Sequence, residues 1–149
     1  MKAIAAVSGN GIIGVNGKIP WYNPEDFKWF KSQTLDCSLV MGRKTFIDMP
    51  GLLKRRETYV LTRDVETHWE TYLRKDGDRV KALQKLLSHK VSFVSSMVDV
   101  PEDVWVCGGA EIYEMLLPQC SEFYVSFIPT VVDFEAEDDV AFLPDFFIF

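Results

Sequence analysis

Ser38-Leu39-Val40-Met41-Gly42-Arg43-Lys44-Thr45-Phe46 is the stretch on which the fold turns. Ser38 to Met41 is the short apolar run of a buried strand, Gly42 breaks it, and a helix is expected from Arg43 to Met49, ended by Pro50-Gly51. A strand passing directly into a helix is half of a parallel βαβ unit. The same alternation continues on either side. Lys2 to Ser8 is a continuous apolar run with small residues, suited to a central strand buried on both faces. Asn23-Pro24-Glu25-Asp26 starts a helix: a capping side chain, proline at the first helical position, acids in the first turn. Phe27, Phe30, Thr34 and Leu35 follow near helical spacing. Further strands are expected at Thr58 to Leu61, Val91 to Val94, Val104 to Cys107 and Glu122 to Ile128. Helices are expected over Glu111 to Leu117, ended by Pro118, and at the end of the polar stretch from Asp64 to Lys90, where Val80, Leu83, Leu86 and Leu87 have helical spacing. Pro101 and Pro129 read as turns. The fold class is therefore α/β, a largely parallel sheet with right-handed crossovers and flanking helices.

The chain has 149 residues, is 48% hydrophobic and 26% charged, and is expected to form one domain over residues 1–149. Chains near this length bury roughly 70% of the surface their unfolded form exposes, so a core needs no disulfide or metal staple. No apolar run is long enough for a membrane span, and Ala3 to Val7 is too short for a signal segment. A soluble, cytoplasmic protein is expected. Cys37, Cys107 and Cys120 are odd in number, widely spaced and apolar in surroundings, which suits reduced, buried thiols. His68 and His89 are single and far from any cluster with ligand spacing, so no metal site is expected. The formal charge of −6 is divided: residues 1–90 hold all 16 bases and 10 acids, and the rest hold 12 acids and no base. That acidity speaks against nucleic-acid binding, whereas the basic part permits a small anionic ligand.

Gly9-Asn10-Gly11-Ile12-Ile13-Gly14 matches G-x-G-x-x-G directly after the first strand, but Gly17 and Pro20 prevent the helix a dinucleotide fingerprint needs. Gly9 to Asn23 reads instead as a loop able to move over a site. Two strand ends suit phosphate better. At Gly42-Arg43-Lys44-Thr45, backbone N–H groups, a hydroxyl and two cations converge on a helix start, and Cys107-Gly108-Gly109-Ala110 repeats the geometry without cations. Thr62-Arg63 stands at the end of a third strand. Ligands of open parallel sheets sit beyond the carboxyl ends of the strands, where all three clusters fall. Asp26 has two readings: a partner for the helix dipole, or an acid turned inward against Phe27 and Phe30, where desolvation favours the protonated form that donates a proton.

From Ile4 to about Pro144 the chain resembles dihydrofolate reductase. The resemblance is carried by the first strand running into Ile12-Ile13-Gly14, by Pro20-Trp21, by Asp26 followed by Phe27 and Phe30-Lys31, by Val40 to Phe46, by Arg56 before a strand, and by Gly108-Gly109 with Ile112-Tyr113. It implies reduction of 7,8-dihydrofolate to tetrahydrofolate by hydride transfer from NADPH, in support of one-carbon metabolism. By the same resemblance Asp26 is the acid that holds the pterin and promotes protonation at N5, Trp21 helps hold an ordered water, and Ser126 stands where the family has a threonine bonded to that acid. Ile4, Ala6, Phe27, Phe30, Lys31, Met49, Leu53, Cys107 and Tyr113 match substrate-pocket positions, and Arg56 matches the arginine that pairs with the substrate's glutamate carboxylate. On the cofactor side stand Ala6, Ile13, Gly14, Ile19, Gly42, Arg43, Lys44, Thr45, Leu61, Thr62, Arg63, Cys107, Gly108, Gly109, Ala110, Glu111 and Ile112. Thr62, Arg63 and Arg43 suit a 2′-phosphate, hence NADPH. Antifolates such as methotrexate or trimethoprim are implied ligands.

The chain departs from the family in four respects. Ser126 replaces the threonine, Cys107 replaces an aliphatic residue, the stretch between Arg63 and Val104 is longer than in compact members, and the resemblance leads one to expect that the family's C-terminal β-hairpin is missing after Pro144. A monomer is expected from the family. An open edge at Glu122 to Ile128 would be covered by the tail Phe146 to Phe149 or by another chain, giving an oligomer. Two other functions stand beside the main one: a related pyrimidine or pterin reductase of the same fold, and a truncated, non-catalytic folate- or NADPH-binding or assembly protein.

Overall fold

Strand β1 (Lys2–Ser8) occupies an inner position of the sheet, and its side chains alternate between two cores. The computed structural model describes residues 1–49, 52–66 and 78–144. After β1 come β2 (Ile12–Val15), α1 (Pro24–Gln33), β3 (Ser38–Gly42), α2 (Arg43–Asp48), β4 (Glu57–Leu61), α3 (Arg79–Ser88), β5 (Val91–Val94), β6 (Trp105–Val106), α4 (Ala110–Leu116), β7 (Glu122–Ile128) and β8 (Val140–Phe142). Six strands form one sheet in the order β5-β4-β3-β6-β1-β7, and every pairing in it is parallel. The mostly parallel α/β sheet expected from the alternation is present.

Two-residue alternation divides the core. Ile4, Leu39, Met41, Val60 and Trp105 face α2 and α3, meeting Phe46, Ala82 and Leu86, with Phe27, Trp29 and Phe30 of α1 packed at the margin. Ala3, Ala5, Val40, Val104 and Val106 face α4 and meet Ile112, Tyr113 and Leu116. Burial on both faces is why these strands read as unbroken apolar runs rather than as alternating ones.

α1 begins as expected, with the Asn23 side chain accepting from the Asp26 N–H at 3.0 Å and Pro24 at the first helical position. α3 is present, but only part of its expected apolar face is buried. Leu86 is buried with Ala82, whereas Val80 and Leu87 are 67% and 63% exposed. The helix rests on a narrow i, i+4 stripe, and the flanking apolar residues stay at the surface.

The loop expected over Gly9 to Asn23 contains a strand. β2 pairs antiparallel with β8, matching Ile12 with Phe142 and Val15 with Val140, and Ile12 is fully buried. The partner lies at the other end of the chain, so nothing local marks the pairing. Three further ties bind the segment to residues after β7: the Gly9 N–H donates to the Thr130 carbonyl, Asn10 exchanges two hydrogen bonds with the Val132 backbone, and the Leu143 N–H donates to the Gly11 carbonyl.

Among the described residues β7 is one edge of the sheet, paired only with β1, and β5 is the other. The Phe146 to Phe149 tail, the Pro50-Gly51 stop and His68 lie outside the described residues. No described helix is long and apolar enough to cross a membrane.

Candidate functional site

The strand order reverses beside β1: β3, β4 and β5 step outward on one side, β6 returns between β3 and β1, and β7 is added on the other side. At such a reversal the carboxyl ends of neighbouring strands diverge and leave a crevice. The glycine-bearing ends of β3 and β6 meet there. The Gly42 N–H donates to the Gly108 carbonyl at 2.8 Å, and the Gly108-Gly109 peptide bond is cis. A Cβ on Gly108 would lie 3.0 Å from the Tyr113 ring, one on Gly42 would lie 3.2 Å from Ile112, and Gly108 has a φ of +99°. Only glycine suits that conformation and spacing. The outcome is a bare backbone cradle, with Thr45 beside Gly109 and the exposed cations Arg43 and Lys44 on α2. Half-buried Thr62 and exposed Arg63 follow β4, the Thr62 N–H donating to the Val94 carbonyl. Ala110 and Glu111 open α4.

Tyr113 and Ile112 occupy less open places than a ligand-contacting role suggests. Tyr113 is 4% exposed, its hydroxyl donates to the Ile4 carbonyl at 2.6 Å, and burial, reinforced by nearby Cys107, pushes its phenol well above the ordinary range. Ile112 packs beneath Gly42. Both support the cradle from behind. Burial likewise pushes the Cys107 thiol up, against a smaller opposing pull from Arg56, so it stays neutral and donates weakly to the Trp105 carbonyl. All three cysteines are free.

The other wall is built by α1. Asp26 is its third residue, and the carboxylate oxygen Oδ1 is buried without a hydrogen-bond partner. An unpaired buried acceptor is costly, and such exceptions concentrate at functional sites. The Phe27 and Phe30 rings follow on the same side, stacked with centroids 5.9 Å apart, and Lys31 Nζ lies 5.0 Å from the Phe27 ring centre. Ile4, Phe27, Phe30, Met49, Leu53 and Cys107, drawn from widely separated parts of the chain, belong to a single apolar cluster. Ala6 pairs in register with Ser126 on β7. Ser126 makes no hydrogen bond to Asp26, so the contact expected from the family's threonine is not formed; the acid keeps its open oxygen.

Arg56 closes the far end of this wall. It is 6% exposed; Nε donates to the Thr34 hydroxyl at 3.1 Å, and its two terminal nitrogens donate to the Lys54 and Lys31 carbonyls. Burial lowers its pKa from the usual guanidinium value, countered by Cys37 and Asp36. Eight helical positions separate Asp26 from Thr34, roughly 12 Å along the axis at 1.5 Å per residue. Acid, paired rings and guanidinium thus line one helix in that order.

The loop before α1 is attached at Ile19, whose N–H donates to Asp48 Oδ2 at 2.8 Å, while the Ile19 side chain is 54% exposed. Trp21, Ile13 and Gly14 are half-buried on the same segment, and Leu61 is half-buried on β4. Sequence reasoning missed Asp48 as the anchor, Thr34 as the partner of Arg56, and Asn16, which bonds to Asp138 and Asp139. Of these only Thr34 carried a local signal, its helical spacing from Phe27 and Phe30. His89 belongs to the end of α3, where its Nδ1 lies 2.8 Å from the Lys85 carbonyl oxygen.

An open parallel sheet with a glycine backbone cradle at its switch point, and on α1 a half-buried aspartate whose Oδ1 is buried and unpaired, has the architecture of an α/β protein that takes its ligand beyond the carboxyl ends of the strands. The chain belongs to the dihydrofolate reductase family: the family model described as dihydrofolate reductase matches residues 1–146. Among similar proteins, dihydrofolate reductase of Enterococcus faecium is 35% identical over 131 residues, covering 87% of this chain and 70% of that protein. Dihydrofolate reductase type 9 of Escherichia coli is 32% identical over 143 residues, covering 95% of this chain and 77% of its own. A solved structure of the Enterococcus faecalis dihydrofolate reductase, complexed with NADP(H) and RAB-propyl, is similar with a TM-score of 0.68 and 29% identity, covering 97% of this chain and 76% of that one.

Proposed function

We infer that this protein reduces 7,8-dihydrofolate to tetrahydrofolate with NADPH, and that the crevice between α1 and the glycine cradle is where it does so. Family membership supports the reaction. The observation that carries the placement is Asp26 Oδ1, a buried oxygen that lacks a protein partner at the head of an aromatic wall. A pterin edge, with ring N–H and amino donors, supplies the missing partners.

The cradle suits a dinucleotide phosphate. Its glycines, packed against Tyr113 and Ile112, carry no side chains that would cover the backbone, and Arg43, Lys44 and Arg63 add positive charge on the same strand ends while Thr45 and Thr62 add hydroxyls. NADPH held there by the cradle glycines, Arg43, Lys44, Thr45, Thr62 and Arg63 would supply the hydride, from its nicotinamide C4, that pterin C6 accepts. The chain's own residues do the rest. Asp26 holds the pterin and promotes protonation at N5, with Trp21 beside the loop helping to hold the water concerned. Phe27, Phe30, Leu53 and Met49 exclude bulk water from the ring, and Arg56 meets the glutamate carboxylate at the far end. Ile19, on a loop tied to Asp48, is the residue we assign to cover the nicotinamide.

The reading brings with it a cytoplasmic, monomeric protein of one domain that is inhibited by antifolates such as methotrexate or trimethoprim. A steady-state assay following NADPH absorbance on adding dihydrofolate tests it, with light scattering on the same sample for the oligomeric state. Turnover that methotrexate abolishes is expected. Binding of both ligands without oxidation of NADPH would overturn the catalytic reading.

A further inference from the structure

We infer that Thr34 is a positioning residue for recognition of the substrate's carboxylate, acting through Arg56. The inference rests on reading Arg56 as the carboxylate partner and extends it to a residue that does not itself touch the ligand. Thr34 is fully buried and stands at the C-terminal end of α1, where its backbone N–H and its hydroxyl both donate to the Phe30 carbonyl. With its proton committed there at 2.9 Å, the hydroxyl oxygen presents lone pairs, and Arg56 Nε donates to it at 3.1 Å. The direction of that bond is therefore determined by the helix.

A guanidinium has five N–H groups. The helix end takes Nε–H through Thr34 and one N–H of Nη2 through the Lys31 carbonyl, and the Lys54 carbonyl takes one of Nη1. One N–H remains on each terminal nitrogen, the pair that a bidentate carboxylate needs. Competition from the nearest acid is reduced, because Asp36 is engaged by Arg55 through two hydrogen bonds at 2.7 and 3.0 Å. Without the Thr34 oxygen, Nε–H would be left unpaired in a buried place, and the guanidinium would turn toward another acceptor and misdirect the remaining pair.

The test compares Thr34→Val, which keeps the shape and removes the oxygen, with Thr34→Ser, which keeps the oxygen. Each is assayed with dihydrofolate and with a dihydropterin lacking the benzoyl-glutamate tail. Thr34→Val is expected to raise the dihydrofolate KM about tenfold, the effect of one charged hydrogen bond, with kcat at saturation and the tail-less KM close to wild type. Thr34→Ser should restore the dihydrofolate KM. Equal losses for both substrates would make Thr34 merely structural and overturn the inference, as would an unchanged dihydrofolate KM. Should Thr34→Val fold poorly, titrating its folded fraction with methotrexate, which carries the glutamate, and trimethoprim, which lacks it, reads the same selectivity. Arg56→Lys separates the two levels: an unchanged dihydrofolate KM in that variant would refute the Arg56 reading itself.

Discussion

The Tyr113 hydroxyl donates to the Ile4 carbonyl at 2.6 Å, tying the helix behind the glycine cradle to the strand beneath the substrate pocket. β6 pairs with β1 only at Lys2 and Ala3, so Ile4 lies where the shorter strand has ended and a side chain supplies the donor. Tyr113→Phe removes that donor while keeping the ring. It should destabilise the protein by about 1–3 kcal/mol, the cost of a buried carbonyl left unpaired, and weaken NADPH binding because the cradle loses its link to β1. Urea denaturation and a cofactor titration would check this; an unchanged midpoint would mean that water replaces the phenol without loss.

Asp26→Asn keeps the size and the helix start, since the Asn23 cap bonds to the backbone N–H of position 26 rather than to its side chain. The fold should persist and hydride transfer should fall by about 10²–10⁴, the usual contribution of a positioned acid or base. The loss should shrink as pH falls, because solvent acid can then supply the N5 proton. Single-turnover rates across pH would show this, and equal turnover of variant and wild type at every pH would remove Asp26 from the chemistry.

Gly108→Ala places a methyl group 3.0 Å from the Tyr113 ring at a φ of +99°. The backbone strain alone costs about 1–3 kcal/mol. Moving the ring to relieve the clash would also stretch the Tyr113–Ile4 bond. Both a lowered denaturation midpoint and a raised cofactor Kd are expected. A Gly42→Ala variant should be milder in stability, because its new methyl meets the Ile112 side chain, at a negative φ of −78°.

The strand and helix alternation was legible because it is local. Lys2–Ser8, Val91–Val94 and Glu122–Ile128 are strands at the expected bounds, and Asn23-Pro24 announces α1 through cap chemistry that needs no distant partner. What the residues alone left open was set by tertiary pairing. β2 exists because Val140–Phe142 returns beside it, and no periodicity within Ile12–Val15 reveals a partner so remote. In α3, helical spacing showed the helix but not the seated stripe, since four apolar residues offered more surface than the sheet could cover. The site divided in the same way. Its glycines and cations could be located from strand ends, and Asp26 carried a hint in its aromatic neighbours, but the residues alone left a plain dipole role open beside it. The open Oδ1, the commitment of Tyr113 to Ile4 and the missing Ser126 contact depend on how three elements approach one another, which single-element patterns do not encode.

Asn16 and the segment before β8 form a latch whose pH dependence has a definite sign. The Asn16 N–H donates to the Asp139 carbonyl at 2.7 Å, its side-chain amide donates to Asp138 Oδ1 at 3.0 Å, and the Asp139 N–H returns a bond to Asn16 Oδ1 at 2.8 Å. Asp138 Oδ2 also accepts from the Glu135 N–H, and these bonds, Glu135 first and Asn16 next, hold its pKa below the ordinary 3.8. A carboxylate whose folded pKa is depressed binds fewer protons when folded, so its contribution is fully present above the unfolded value and is lost as pH falls through the folded one. The latch should therefore hold unchanged at neutral pH and loosen only in acid, below 3.8. Because Asp138 lies at the surface and is only partly covered, salt should weaken the effect. Hydrogen exchange of the amides of Asn16 and Asp139, in wild type and in Asp138→Ala, measures this directly. Protection in the wild type should drop toward that of the variant as the pH goes below 3.8 and should differ from it above; a difference that persists through that acid range would show that the backbone bonds, not the carboxylate, hold the loop.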